Sequence, residues 1–131
     1  MPFDLIAHKS RTDDFDIPIY EADGTTGVTI AADDVVRFKM GLHTEATPAV
    51  DIDNVAATAS GSVVTVVQLS NPATVRVRLA QADIALLASR VYHAEVLLVD
   101  NSETAPADAA KVIDRGSVEV KGSMGGDIGV S

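Results

Sequence analysis

The chain has no cysteine and no tryptophan among its 131 residues. Without cysteine there is no disulfide framework and no thiolate zinc site. The core must then be held by apolar burial, which a single domain of this length can supply. The lack of cysteine also favours synthesis in a reducing cytoplasm. Aromatic residues make up 4% of the chain, three Phe and two Tyr, too few to read as an exposed aromatic platform for carbohydrate. No apolar run reaches the roughly 18 residues of a membrane span. The start, Met1 to Ser10, lacks the basic region and apolar stretch of a secretory signal. Basic residues are the minority, 10 Lys and Arg against 19 Asp and Glu, for a formal charge of -9. With no basic cluster in the sequence, a phosphate backbone would be repelled. Neither nucleic acid nor membrane is expected as a partner.

What the chain does have is Val, Ile, Leu and Ala in short alternating runs separated by turn residues. Phe15, Ile17 and Ile19 alternate with Asp16, Pro18 and Tyr20, which describes a strand with one buried face. Pro18 cannot donate to a ladder, so this strand belongs at an edge or beside a bulge. Asp23-Gly24 supplies a tight turn. Val36, Phe38 and Met40 form the apolar face of a strand whose wet face is Val35, Arg37 and Lys39. Val50–Asp53 and Val63–Leu69 read as further strands, the second ended by Ser70-Asn-Pro72. Val75-Arg-Val-Arg-Leu79 alternates cleanly, with Arg76 and Arg78 facing solvent.

The segment Gln81 to Ala88 has Ile84, Leu87 and Ala88 at helical spacing. It is too short to stand alone in water and must be held by packing, as a cover over one open end of the fold. From Tyr92 to Asp100 a long strand sets Tyr92, Ala94, Val96 and Leu98 on one side and His93, Glu95, Leu97 and Val99 on the other. Lys111 to Lys121 closes the series, interrupted by Gly116, after a loop from Asn101 to Ala110. The whole describes an all-β fold, an immunoglobulin-like or jelly-roll-like β-sandwich of about seven or eight strands with one short helix. Residues 1–12 read as an N-terminal arm, 13–121 as the sandwich and 122–131 as a flexible, glycine-rich tail.

Catalytic and ligand chemistry find little purchase. The groups Asp13-Asp14-Asp16, Asp33-Asp34 and Asp51-Asp53-Asn54 could offer oxygen ligands to calcium but lack EF-hand spacing and read as turn residues and solvated strand faces. His8, His43 and His93 lie far apart, with no second ligand at a metal spacing. No Gly-x-Ser-x-Gly elbow occurs, and no Lys-Ser or Lys-Thr follows the glycines of the tail. The expectation is therefore a protein that is not an enzyme and holds no cofactor and no metal. Tyr92, at the start of a covered strand, reads as a packing anchor whose hydroxyl bonds a neighbouring loop.

Several runs together resemble a family of small β-sandwich proteins of tailed bacteriophages, which includes the N-terminal domains of baseplate upper proteins and similar short head, neck and tail proteins. They are Val35-Val-Arg-Phe-Lys-Met40, Val75-Arg-Val-Arg-Leu79, Asp83-Ile-Ala-Leu-Leu87, Tyr92-His-Ala-Glu-Val-Leu-Leu-Val-Asp100 and Asp114-Arg-Gly-Ser-Val-Glu-Val120. The resemblance covers about residues 13–121 and departs from the family at Ser89-Arg90, where a glycine turn is usual, and in the length of the Asn101 to Ala110 loop. It implies a non-enzymatic structural component of the virion, in capsid decoration, neck, tail or baseplate, made in the host bacterial cytoplasm. Its partners would be other virion proteins, with the chain a homo-oligomer or bound to a symmetric lattice. Loose arms can order on neighbours, so the candidate assembly contacts are Phe3, Leu5 and Ile6 at one end and Met124, Ile128 and Val130 at the other, with Arg76 and Arg78 on an exposed face. The rival reading is a module that binds carbohydrate or a host-surface molecule, as an adhesin or receptor-binding domain.

Overall fold

The computed structural model describes residues 3–20, 25–31, 34–42, 47–70, 72–99 and 110–122. The Asp23-Gly24 turn, Asp33, His43, most of the Asn101 to Ala110 loop, and the tail residues Met124, Ile128 and Val130 lie outside them.

The fold is an all-β sandwich, with eight strands and one short helix among the described residues. The strands are β1 (Phe3–His8), β2 (Asp13–Pro18), β3 (Val35–Gly41), β4 (Val50–Asp53), β5 (Val63–Gln68), β6 (Thr74–Leu79), β7 (Val91–Val99) and β8 (Ala110–Lys121), with α1 (Gln81–Ile84) between β6 and β7. The larger sheet runs β1-β8-β7-β3-β4 and the smaller β2-β6-β5. All pairings are antiparallel except β1 with β8, which is parallel.

This order separates the two sandwich types left open by the sequence. The second, sixth and fifth strands form one sheet, and the third, seventh and eighth sit side by side in the other. That is the immunoglobulin arrangement, with the fourth strand flanking the third as in variable-type domains. A tyrosine corner accompanies it: Tyr92, the second residue of β7, donates its hydroxyl to the Ala88 carbonyl at 3.0 Å. The chain lacks the cysteines and tryptophan that mark antibody domains. Phe38 on β3 is instead the largest fully buried side chain.

Period-two alternation explains which residues fill the core. Ile17 on β2, Val64 on β5, and Val75, Val77 and Leu79 on β6 point inward from the smaller sheet. Val36, Phe38 and Met40 on β3, Tyr92, Ala94, Val96 and Leu98 on β7, and Val118 and Val120 on β8 meet them from the larger. Pro18 ends β2 at the rim of the smaller sheet, the position its missing N–H requires. The helix is shorter than its apolar spacing suggests. Only Gln81–Ile84 is helical, and buried Ile84 with partly buried Leu87 ties it to the core, while Leu86 stands out in solvent.

The N-terminal arm is the main departure. Phe3–His8 is not loose but forms β1, in register with Gly116–Lys121 of β8. Phe3 and Leu5 pack against the core and Ala7 is buried within it. The Phe3 ring lies 6.2 Å from that of Phe38, centroid to centroid. Six residues whose inward side chains are Phe3, Leu5 and Ala7 make too short an alternation to be told from an arm. What makes them a strand is β8, more than a hundred residues away in the chain.

Candidate functional site

On the smaller sheet, the outward residues of β2 and β6 form a ladder of ion pairs. Asp14 stands opposite Arg78, and Asp16 opposite Arg76. Each arginine grips its carboxylate with two nitrogens: Arg76 at 2.8 and 3.2 Å, Arg78 at 2.8 and 3.1 Å. Hydrogen bonds from Arg78 hold the Asp14 carboxyl below the usual carboxylate range, and those from Arg76 do the same for Asp16. Arg76 and Arg78 are therefore exposed but already engaged within the chain. Nothing in the local sequence names these partners, because strand register alone brings them together.

The outer face of the larger sheet is polar in the same way. Arg37 on β3 meets both oxygens of Asp51 on β4, at 2.9 and 2.7 Å. Arg115 on β8 donates to Glu95 on β7 at 3.1 Å, and His93 stands 3.7 Å from the same carboxylate.

At the helix end a second polar group closes on itself. The Asp83 carboxylate accepts from Thr58 Oγ1 at 2.8 Å and from the Ser62 hydroxyl. Ser62 is fully buried, and its oxygen in turn accepts from the Ala80 backbone N–H at 2.8 Å. The Ser62 hydrogen bond, helped by Thr58 and Ser60, lowers the Asp83 carboxyl against the opposing effect of burial. A serine beside a carboxylate with no imidazole is not a nucleophile with its base. This group pins the loop before β5 to α1.

The free surface is at the β1 side. Among the described strands, nothing pairs with the outer side of β1, although at its His8 end the N–H donates to Asp13 Oδ2 at 2.9 Å and the carbonyl accepts from the Arg11 N–H at 3.3 Å. Its outward side chains are Asp4, Ile6 and His8, with Ile6 43% exposed. Asp4 accepts from Ser117 Oγ at 2.8 Å. Past the other end of the strand, the Lys9 N–H donates to the Lys121 carbonyl at 3.0 Å, and the Val120 N–H donates to the Arg90 carbonyl at 2.8 Å. The backbone at Lys9 and at Arg90, distant in the sequence, thus flanks the end of β8 on either side, at one corner of the sheet. None of the ion pairs among the described residues involves them. A shallow groove of 310 Å³ runs beside Arg90 and Lys121, lined also by Ser89, Glu119, Val120 and Gly122.

Of the residues singled out as assembly contacts, Phe3 and Leu5 are turned into the protein's own core. Ile6 remains outward, and Arg76 and Arg78 are paired. Among the described residues, no group of three or more His, Asp or Glu side chains is placed to hold a metal ion. No protein-family model and no curated protein matches the chain.

Proposed function

We propose that the chain is a non-enzymatic structural subunit of a tailed-bacteriophage particle, acting through protein–protein contacts in the capsid decoration, neck, tail or baseplate. The observation that carries this reading is the edge of β1, which no described strand covers at Asp4 and Ile6, with the isoleucine exposed, while His8 at its end is held by Asp13 and Arg11. It belongs to a sandwich whose arginines on both outer faces are largely engaged by its own carboxylates. Such an edge can extend its sheet into another chain, and a cooperatively folded sandwich is a suitable block for a lattice or ring. Three of the runs that carry the resemblance, Val35–Met40, Val75–Leu79 and Asp114–Val120, fall within β3, β6 and β8, in keeping with the same reading. On it, the chain is made in the host bacterial cytoplasm and ends in the virion.

Quantitative mass spectrometry of density-purified phage particles that encode this chain tests the proposal. A fixed number of copies per particle, retained after high-salt washing, is the expected result. Absence of the chain from particles that are otherwise complete overturns it, and glycan-array screening of the isolated domain then tests the carbohydrate-binding reading.

A further inference from the structure

We infer that the turn from His8 to Asp13 is a guard on the edge of β1, which keeps the free chain from adding strands to its larger sheet. The inference rests on the structural-subunit reading for its purpose, since it names what regulates the edge through which such a subunit would make contact.

The sandwich has four sheet edges, and three carry an evident obstacle to strand addition. β2 ends in Pro18, β5 has a bulge between Val66 and Gln68, and β4 is four residues long. β1 has six residues in unbroken register with β8, with no proline and no bulge, and Ile6 is exposed on it. Successive residues of a strand turn their N–H and C=O groups to opposite sides. The Lys9 N–H bonds the Lys121 carbonyl of β8, so Asp4, Ile6 and His8 turn theirs away from β8, where an added strand would bond them. At His8 both positions are already filled, the N–H by the Asp13 carboxylate and the carbonyl by the Arg11 N–H. Asp4 and Ile6 are left. Strands in globular proteins run roughly 3–10 residues, so the whole edge is long enough to accept one and the guarded edge is not.

The guard is itself held from three directions. Arg11 Nε donates to the second oxygen of Asp13, Oδ1, at 2.7 Å, a charge-assisted bond that the carboxylate would have to give up to leave His8. Gln81, the first residue of α1, takes hold of the turn between them: its Nε2 donates to the Lys9 carbonyl at 3.1 Å and its backbone N–H to Thr12 Oγ1 at 3.0 Å. Asp13 also begins β2, opposite Leu79 of β6, so its backbone is fixed in the other sheet. The crossing from one sheet to the other thus doubles as a cap on the edge it leaves. A strand from a partner gains the full length of β1 only by displacing this turn.

The chain has no cysteine, so a single introduced thiol on the edge reports association there. With the guard intact, Ile6→Cys under mild oxidation should form covalent dimer no faster than Leu86→Cys, a position that is 88% exposed. Light scattering should give the monomer mass at every concentration. Adding Asp13→Ala frees the His8 N–H and should raise the Ile6→Cys cross-linking rate about tenfold, the scale of one or two added backbone hydrogen bonds. Asp13→Asn keeps an oxygen for that N–H and should stay at background. Gln81→Ala with Thr12→Val loosens the same turn from the α1 side and should raise the rate by a smaller factor; it decides the matter alone if Asp13→Ala has no melting transition. Cross-linking at Ile6 well above the Leu86→Cys background in the guarded chain, or folded Asp13→Ala that stays at background, overturns the guard. The copy number in particles is read separately. A failed guard in a chain that particles contain leaves the structural-subunit reading standing, and a working guard in a chain absent from them does the reverse.

Discussion

Phe3 and Gly116 are cross-strand partners in the parallel pair β1–β8, and the Phe3 ring lies where a side chain at Gly116 would have to go. A Cβ built on Gly116 would stand 2.6 Å from two ring carbons of Phe3 and closer still to its carbonyl oxygen. With Ala94 as its other neighbour on β7, Gly116 leaves a shallow channel. Through it Phe3 reaches the core beside Phe38. The glycine that interrupts the last strand is therefore a seat for the first one.

Gly116→Ala should displace β1, because both close atoms belong to a residue held in the sheet. The expected loss is about 1–3 kcal/mol, the usual cost of overpacking, read as a lower urea midpoint. Faster amide exchange confined to residues 3–8 should accompany it. An unchanged midpoint would falsify the seat.

Asp83→Ala removes the acceptor of the fully buried Ser62 hydroxyl. Loss of about 1–3 kcal/mol is expected for the unsatisfied group, and Ser62→Ala, which also strips the buried Ala80 N–H of its acceptor, should cost less in the Asp83→Ala background than in the wild type. The Asp83 carboxyl is lowered, first by the Ser62 hydrogen bond and against the effect of burial. Its stabilisation is therefore present above the usual carboxylate range and is lost as pH falls through the folded-state value. Urea titrations of the wild type and both variants, at neutral and acid pH, check the coupling. Strictly additive losses would sink it.

Asp114 should behave with the opposite sign. Alternation along β8 from Gly116 turns it toward Val96, beside a bulge at which Ile113 is the extra residue and packs against the core. Burial raises the Asp114 carboxyl, while its hydrogen bond from the Arg115 N–H, 2.9 Å long, opposes the rise. The folded state thus holds this proton more tightly than the unfolded chain does. The group favours folding below the usual carboxylate range, and that advantage is lost as pH rises through the folded-state value. Asp114→Asn keeps an oxygen for the Arg115 N–H and removes the charge. A higher Tm than wild type at neutral pH, with the gap closing in acid, is expected from calorimetry. A lower Tm at neutral pH would mean that the charge has a favourable partner.

Tyr92→Phe retains the ring in the core and deletes the bond to the Ala88 carbonyl. A loss of about 0.5–1.5 kcal/mol is expected, the ordinary net value of one hydrogen bond. Proteolysis should then cut the segment between α1 and β7 more readily, because the corner that anchors it has gone. Protection equal to wild type would show that packing alone holds the corner.

Local pattern in the sequence determined most of the strands and their faces. Alternation in Val75–Leu79 and Tyr92–Leu98 announces which side chains are buried, since a pleated chain sends successive residues to opposite sides. Pro18 announces an edge because it lacks a donor, and Tyr92 announces an anchor because a buried hydroxyl needs an acceptor. Tertiary structure alone decided the rest. Phe3–His8 becomes a strand through β8, Arg76 and Arg78 find Asp16 and Asp14 through register, and the backbone at Lys9 and at Arg90 comes to flank the end of β8. The choice of an immunoglobulin order over a jelly roll belongs to the same class. Each depends on which segments pair across long stretches of chain, and pairing is a property of the whole core that no short run of residues encodes.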